Sequence, residues 1–152
     1  MKTHLENFDL SKYMLHKPPM LLVDKIIEEN DKKATTSFAV KQDCIFLDEN
    51  NILSSPALIE IAAQSFAAAD IYQRIKSSKA LVKGFLVSIR KFGFTGQARL
   101  GDEIICKAEE ISEIAGLHIV SAQLWVGGNC IAGGELRIFE ISGNAGEMKI
   151  SV

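Results

Sequence analysis

The chain reads as an α+β fold in which a strongly curved antiparallel sheet wraps around one long central helix. Three observations predict this. The stretch Leu53–Ile75 is rich in Ala, Leu and Ile and apolar on nearly every face, the composition of a helix enclosed by protein. From Ala80 onward everything reads as strand, broken only by short Gly-containing turns. A helix that is apolar all round cannot be covered by one half-face of packing, so the sheet must curve about it.

The elements follow in order. Met1–Tyr13 is polar with scattered Leu5, Phe8, Leu10 and Tyr13, enough for a short surface helix over about 5–13. Met14–Met20 carries Pro18-Pro19, which fixes an extended backbone and rules out a central ladder position. Leu21–Glu28 and Ala34–Val40 read as strands around the turn Asn30-Asp31-Lys32-Lys33, and Lys41–Leu53 as an irregular acidic connection. The central helix spans about 55–75: Ser54 and Ser55 can cap it, and Pro56 fits its first turn because a missing N–H costs nothing there. Leu81–Phe94, Glu103–Ile111, Leu117–Val126 and Cys130–Ile141 are strands, with turns at Gly101-Asp102 and Gly127-Gly128-Asn129. Gly133-Gly134 marks a bulge or a close backbone approach, and 142–152 is a weakly structured tail. A sheet of this kind leaves an edge open, and edge-to-edge pairing into a symmetric dimer closes it.

Composition narrows the function. The 152 residues fit one domain with a real core, and a net charge of −2 argues against wholesale nucleic-acid binding. Cys44, Cys106 and Cys130 are widely spaced, with no CxxC pair, and read as small apolar side chains. Met1–Asp24 has no basic-then-apolar leader and no run is long enough to span a bilayer, so the expected setting is a reducing cytoplasm without membrane attachment. No Gly-rich phosphate loop, nucleophile elbow or metal-ligand spacing is present, so no cofactor and no metal are expected.

Two polar residues interrupt the apolar helix, Glu60 and Gln64, one turn apart on the same face. A carboxylate seated among apolar side chains loses solvation and favours its protonated form, which is how a general acid is made. Of the three histidines, His4 lies in the polar N-terminal segment and His118 reads as a strand-face residue. His16 stands before the rigid Lys17-Pro18-Pro19 bend, where its imidazole can be aimed into a groove. His16 and Glu60 are the pairing able to take a proton from one carbon and give one to a leaving hydroxyl.

Tyr13–Asp24, Tyr-Met-Leu-His-Lys-Pro-Pro-Met-Leu-Leu-Val-Asp, resembles the Leu-Pro-His-Arg-x-Pro-x-Leu-Leu-Val-Asp signature of the 3-hydroxyacyl-[acyl carrier protein] dehydratases. Pro56-Ala-Leu-Ile-Glu60-Ile-Ala-Ala-Gln64 is similar to that family's Pro-Gly-x-x-x-x-Glu-Ala-x-Ala-Gln, shortened between Pro and Glu. Lys83-Gly84-Phe85, Gly101-Asp102-Glu103-Ile104 and the last hairpin extend the likeness from about Ser11 to Glu140. The resemblance implies a hot-dog fold paired as a dimer and dehydration of 3-hydroxyacyl thioesters to trans-2-enoyl thioesters. It implies His16 as base and Glu60 as acid, contributed by different protomers. Ala57 would offer a backbone amide to the thioester carbonyl, Gln64 would orient Glu60 or a water, and Gly84-Phe85 would let the acyl-thioester approach the strand.

The family's Gly-His-Phe-Pro-Gly loop before the helix is absent, and Ala57 stands in place of Gly. That pattern is closer to small dehydratase-like proteins of aryl polyene or other specialised polyketide and fatty acid pathways. The implied partners are an acyl carrier protein, met by a basic rim of Lys17, Lys83, Arg90, Lys91 and Arg99, and a second subunit. A homodimer is the expected assembly, with a higher oligomer or a heterodimer with a homologue as alternatives. A hot-dog thioesterase and a non-catalytic acyl-thioester-binding partner are the rival functions.

Overall fold

The computed structural model describes residues 5–141; His4 and the expected tail 142–152 lie outside the described residues. A 3-10 turn at Leu10–Lys12 precedes strands β1 (Lys25–Glu29) and β2 (Lys33–Ala39) and helix α1 (Ser55–Lys76). Strands β3 (Lys83–Phe94), β4 (Glu103–Ile114), β5 (Leu117–Val126) and β6 (Asn129–Ile141) follow. The strands make one six-stranded antiparallel sheet in the order β1-β2-β4-β5-β6-β3, wrapped about α1. This is the hot-dog fold.

Helix α1 is enclosed as its composition demands: from Ala57 to Ile75 no residue is fully exposed. Leu58, Ile61 and Ala62 pack in one core with alternate residues of the sheet, among them Ile104 and Cys106 of β4, Ala122 and Leu124 of β5, and Leu136 of β6. The period of two along those strands puts these side chains on the concave face. Pro56 stands in the first turn and Arg74 and Lys76 in the last, where positive charge suits the helix dipole. Ser54 occupies the cap position, but its side chain makes no capping bond; its N–H donates to Phe46 O at 2.9 Å instead.

The expected bulge sits at Gly134. Lys91 takes φ +51° in β3, and the register slips between Arg90 and Gly93, bringing the backbone of Phe92 onto Gly134. A Cβ there would collide with Phe92 Cα, so only glycine fits.

Two boundaries differ from expectation. The segment expected as one helix over 5–13 is broken: Leu5 and Glu6 are helical, and Leu10–Lys12 is a separate 3-10 turn, where Asp9 Oδ1 accepts from the N–H and hydroxyl of Ser11. The strand expected from Leu21 begins at Lys25: the backbone of Met20 and Leu22 bonds to the side chain of Gln64 rather than to a neighbouring strand. β3 is left as an unpaired edge with Leu86, Val87 and Ile89 exposed, Val87 to 56%.

Candidate active site

The fold brings His16 and Glu60 together within one chain. His16 Nε2 lies 3.3 Å from Glu60 Oε1. The resemblance implied that the two groups come from different protomers; within one chain the imidazole and the carboxyl are already in contact. Gln64 makes the contact possible. It is 1% exposed; its Oε1 accepts from Leu22 N–H at 2.7 Å, and its Nε2 donates to Met20 O and to Glu60 Oε1, both at 2.9 Å. One buried amide, with oxygen and nitrogen both engaged, thus ties the segment after His16 to the helix turn that carries Glu60. The expected enclosure of Glu60 is corrected. Its side chain is 33% exposed and that of His16 39%, so the pair sits in an open cavity wall rather than inside the core.

That cavity has a volume of about 540 Å³ and runs between α1 and the start of β3. His16, Glu60, Gln64, Gly84 and Phe85 all border it. Gly84 is small for a reason within the chain: a Cβ there would stand 3.2 Å from Ile138 Cγ2. Ala57 does not border the cavity. It is buried, and its N–H donates to Ser54 O at 3.0 Å, so the free amide expected at this position is already engaged.

A family model described as the ApeP dehydratase matches residues 8–149. The chain belongs to the ApeP-like dehydratase family. No curated protein sequence matches it. The dehydratase heterocomplex ApeI:P from Xenorhabdus doucetiae has a similar chain, with TM-score 0.83, 18% identity, and coverage of 89% of this chain and 92% of that one. A thioesterase mutant from Pseudomonas aeruginosa matches with TM-score 0.68 and 16% identity over 90% of this chain and 93% of its own. A hypothetical thioesterase with coenzyme A from Streptococcus pneumoniae gives 0.63 and 12%, covering 78% and 88%. At such identities the structures share the fold.

A second polar cluster borders the same cavity through Asp70 and Glu140. Glu140 is 8% exposed; its Oε2 is 3.0 Å from Arg74 Nη2 and 3.2 Å from His118 Nε2. Arg74 also holds Asp70 at 2.9 Å, and His118 Nδ1 bonds Glu110. Burial pushes the Glu140 carboxyl up to about 7, helped by the hydrogen bond and charge of Asp70 and opposed by His118 and Arg74. Burial works against the His118 imidazolium, but the Glu110 bond and the surrounding carboxylates outweigh it and raise its pKa. His118, expected to be a plain face residue, is thus half of a buried acid–base network. A sequence signal for it is Asp70 and Arg74, an oppositely charged pair four residues apart on a largely apolar helix. Among the described residues no three His, Cys, Asp or Glu side chains are arranged to hold a metal, and no helix is long and apolar enough to cross a membrane.

Proposed function

We propose that this family member dehydrates 3-hydroxyacyl thioesters carried on an acyl carrier protein, with His16 and Glu60 performing the proton transfers. The observation that carries the reading is the 3.3 Å contact between imidazole and carboxyl on the wall of a largely apolar cavity. The two groups face one side of the space, matching removal of H from C2 and OH from C3 on one face of the substrate. His16 takes the C2 proton as the C2–C3 double bond forms. Glu60 gives its proton to the departing C3 hydroxyl, which leaves as water. The imidazolium then returns a proton to the carboxylate across their contact, and both groups are reset. Each transfer contributes about 10²–10⁴ in rate.

Gln64 acts as a positioning residue that holds both groups through its amide. The pathway suggested by the resemblance is a specialised polyketide or fatty acid one of the aryl polyene type. The open β3 edge is the surface for a second subunit; the Xenorhabdus neighbour, itself a heterocomplex, supports an assembly of more than one chain. Lys17, Lys83, Arg90, Lys91 and Arg99 are the candidate contacts for an acidic carrier, and carrier binding that weakens with rising salt supports that role.

The test is conversion of a 3-hydroxyacyl-carrier-protein to its enoyl product, together with the reverse hydration. His16→Ala and Glu60→Gln should each remove turnover while the chain stays folded. Full activity in either variant overturns the assignment. Release of free acid instead of enoyl product makes the protein a thioesterase, and binding of acyl-pantetheine without any turnover makes it a non-catalytic partner.

A further inference from the structure

The cavity is polar at its two ends and apolar between them. Glu60 and Asp70 border it ten residues apart on α1, a rise of about 15 Å along the helix. Ala63 and Ala67, one turn apart, lower the helix surface between them, and Phe66, Leu86 and Ile138 are among the other apolar residues of the wall. An acyl group whose thioester lies at His16 and Glu60 has this channel for its tail. At the far end the tail meets Asp70 and Glu140, backed by Arg74 and His118.

We propose that Asp70 and Glu140 form a polar stop that sets the longest alkyl chain the cavity accepts. The proposal rests on reading the cavity as an acyl-thioester site. Its physical basis is the asymmetry between burying apolar and polar groups. Each methylene laid against Ala63, Phe66 and Ala67 gains affinity, because it leaves water for an apolar surface. A methyl end pressed against Asp70 strips water from a carboxylate and offers no hydrogen bond in exchange. Asp70 pairs with Arg74, and Glu140 pairs with Arg74 and His118, so turning either carboxylate aside breaks an existing ion pair. The wall therefore stays in place, and affinity turns over once the chain reaches it.

Calorimetric titration with saturated acyl-pantetheine thioesters, from butanoyl to dodecanoyl, reads this without turnover. With the unaltered protein, affinity should rise with chain length and then fall about tenfold when the chain end reaches Asp70. Asp70→Leu should remove the fall and let affinity keep rising. Asp70→Asn, which retains shape and polarity and spares folding, should shrink the fall. A profile that climbs through dodecanoyl in the unaltered protein overturns the proposal, as does one turnover point shared by all three proteins. Binding with the expected profile but no dehydration refutes the proposed reaction and leaves the stop standing. Turnover with an unchanged profile refutes the stop alone, and no binding at any length refutes both.

Discussion

Gln64→Leu isolates what the buried amide does. Leucine fills nearly the same volume, so little cavity is created, and the effect comes from three lost hydrogen bonds. The Leu22 N–H is the costly one, because Leu22 is 1% exposed and no water can replace the amide oxygen. Met20 is 43% exposed, so its carbonyl can turn to solvent at small cost. Stability should therefore fall by about 1–3 kcal/mol, the cost of one buried donor left unpaired, rather than twice that. The catalytic loss should be larger in proportion. With the segment after His16 released and Glu60 no longer held, a displacement near 1 Å is enough to lower kcat by about 10²-fold. KM should change less than kcat, since Gln64 is one of many residues that line the cavity. Urea denaturation gives the first quantity and enoyl-thioester hydration kinetics the second. Unchanged denaturation midpoint and unchanged kcat in Gln64→Leu would refute the reasoning.

Further outcomes follow from the same geometry. Glu140 is raised from 4.5 to about 7 in the folded chain, so the native state keeps a proton that the unfolded chain releases between those values. Its stabilisation is full below pH 4.5 and lost as pH rises through about 7, and the raised His118 acts in the same sense from 6.5 upward. The melting temperature relative to Glu140→Gln should decline across that interval, and parallel melting curves for the two proteins would count against it. Gly134→Ala drives a methyl into the Phe92 backbone and should cost about 1–3 kcal/mol in chemical denaturation, with β3 and β6 losing hydrogen-exchange protection first. Val87→Lys places a charge on the open β3 edge and should leave the chain monomeric by light scattering at concentrations where the unaltered protein associates.

The sequence made the architecture legible because its two periodicities are unmixed. Leu53–Ile75 has no polar face and the later strands alternate, so the helix and four C-terminal strands fall within a few residues of their expected bounds. What it concealed were side chains that substitute for backbone. Gln64 bonds Leu22 and Met20 in place of a strand neighbour, and β1 starts late as a result. Asp9 competes with helical bonding in the same way. His16 and Glu60 were both marked by their settings, yet the 3.3 Å contact within one chain depends on how the Pro18-Pro19 segment folds back, a tertiary fact. The cluster around Glu140 joins α1 to β4, β5 and β6, and the one local mark of it, the Asp70–Arg74 pair on α1, does not report which strand residues it meets.

On the proposed mechanism, imidazole and carboxyl that touch inside a single polypeptide give each subunit its own reaction centre. Mixing a His16→Ala chain with a Glu60→Gln chain then yields no repaired centre in any pairing, whereas a shared-interface design would recover up to half of its sites. On the same mechanism, a wild-type chain joined to a His16→Ala chain should keep its own turnover.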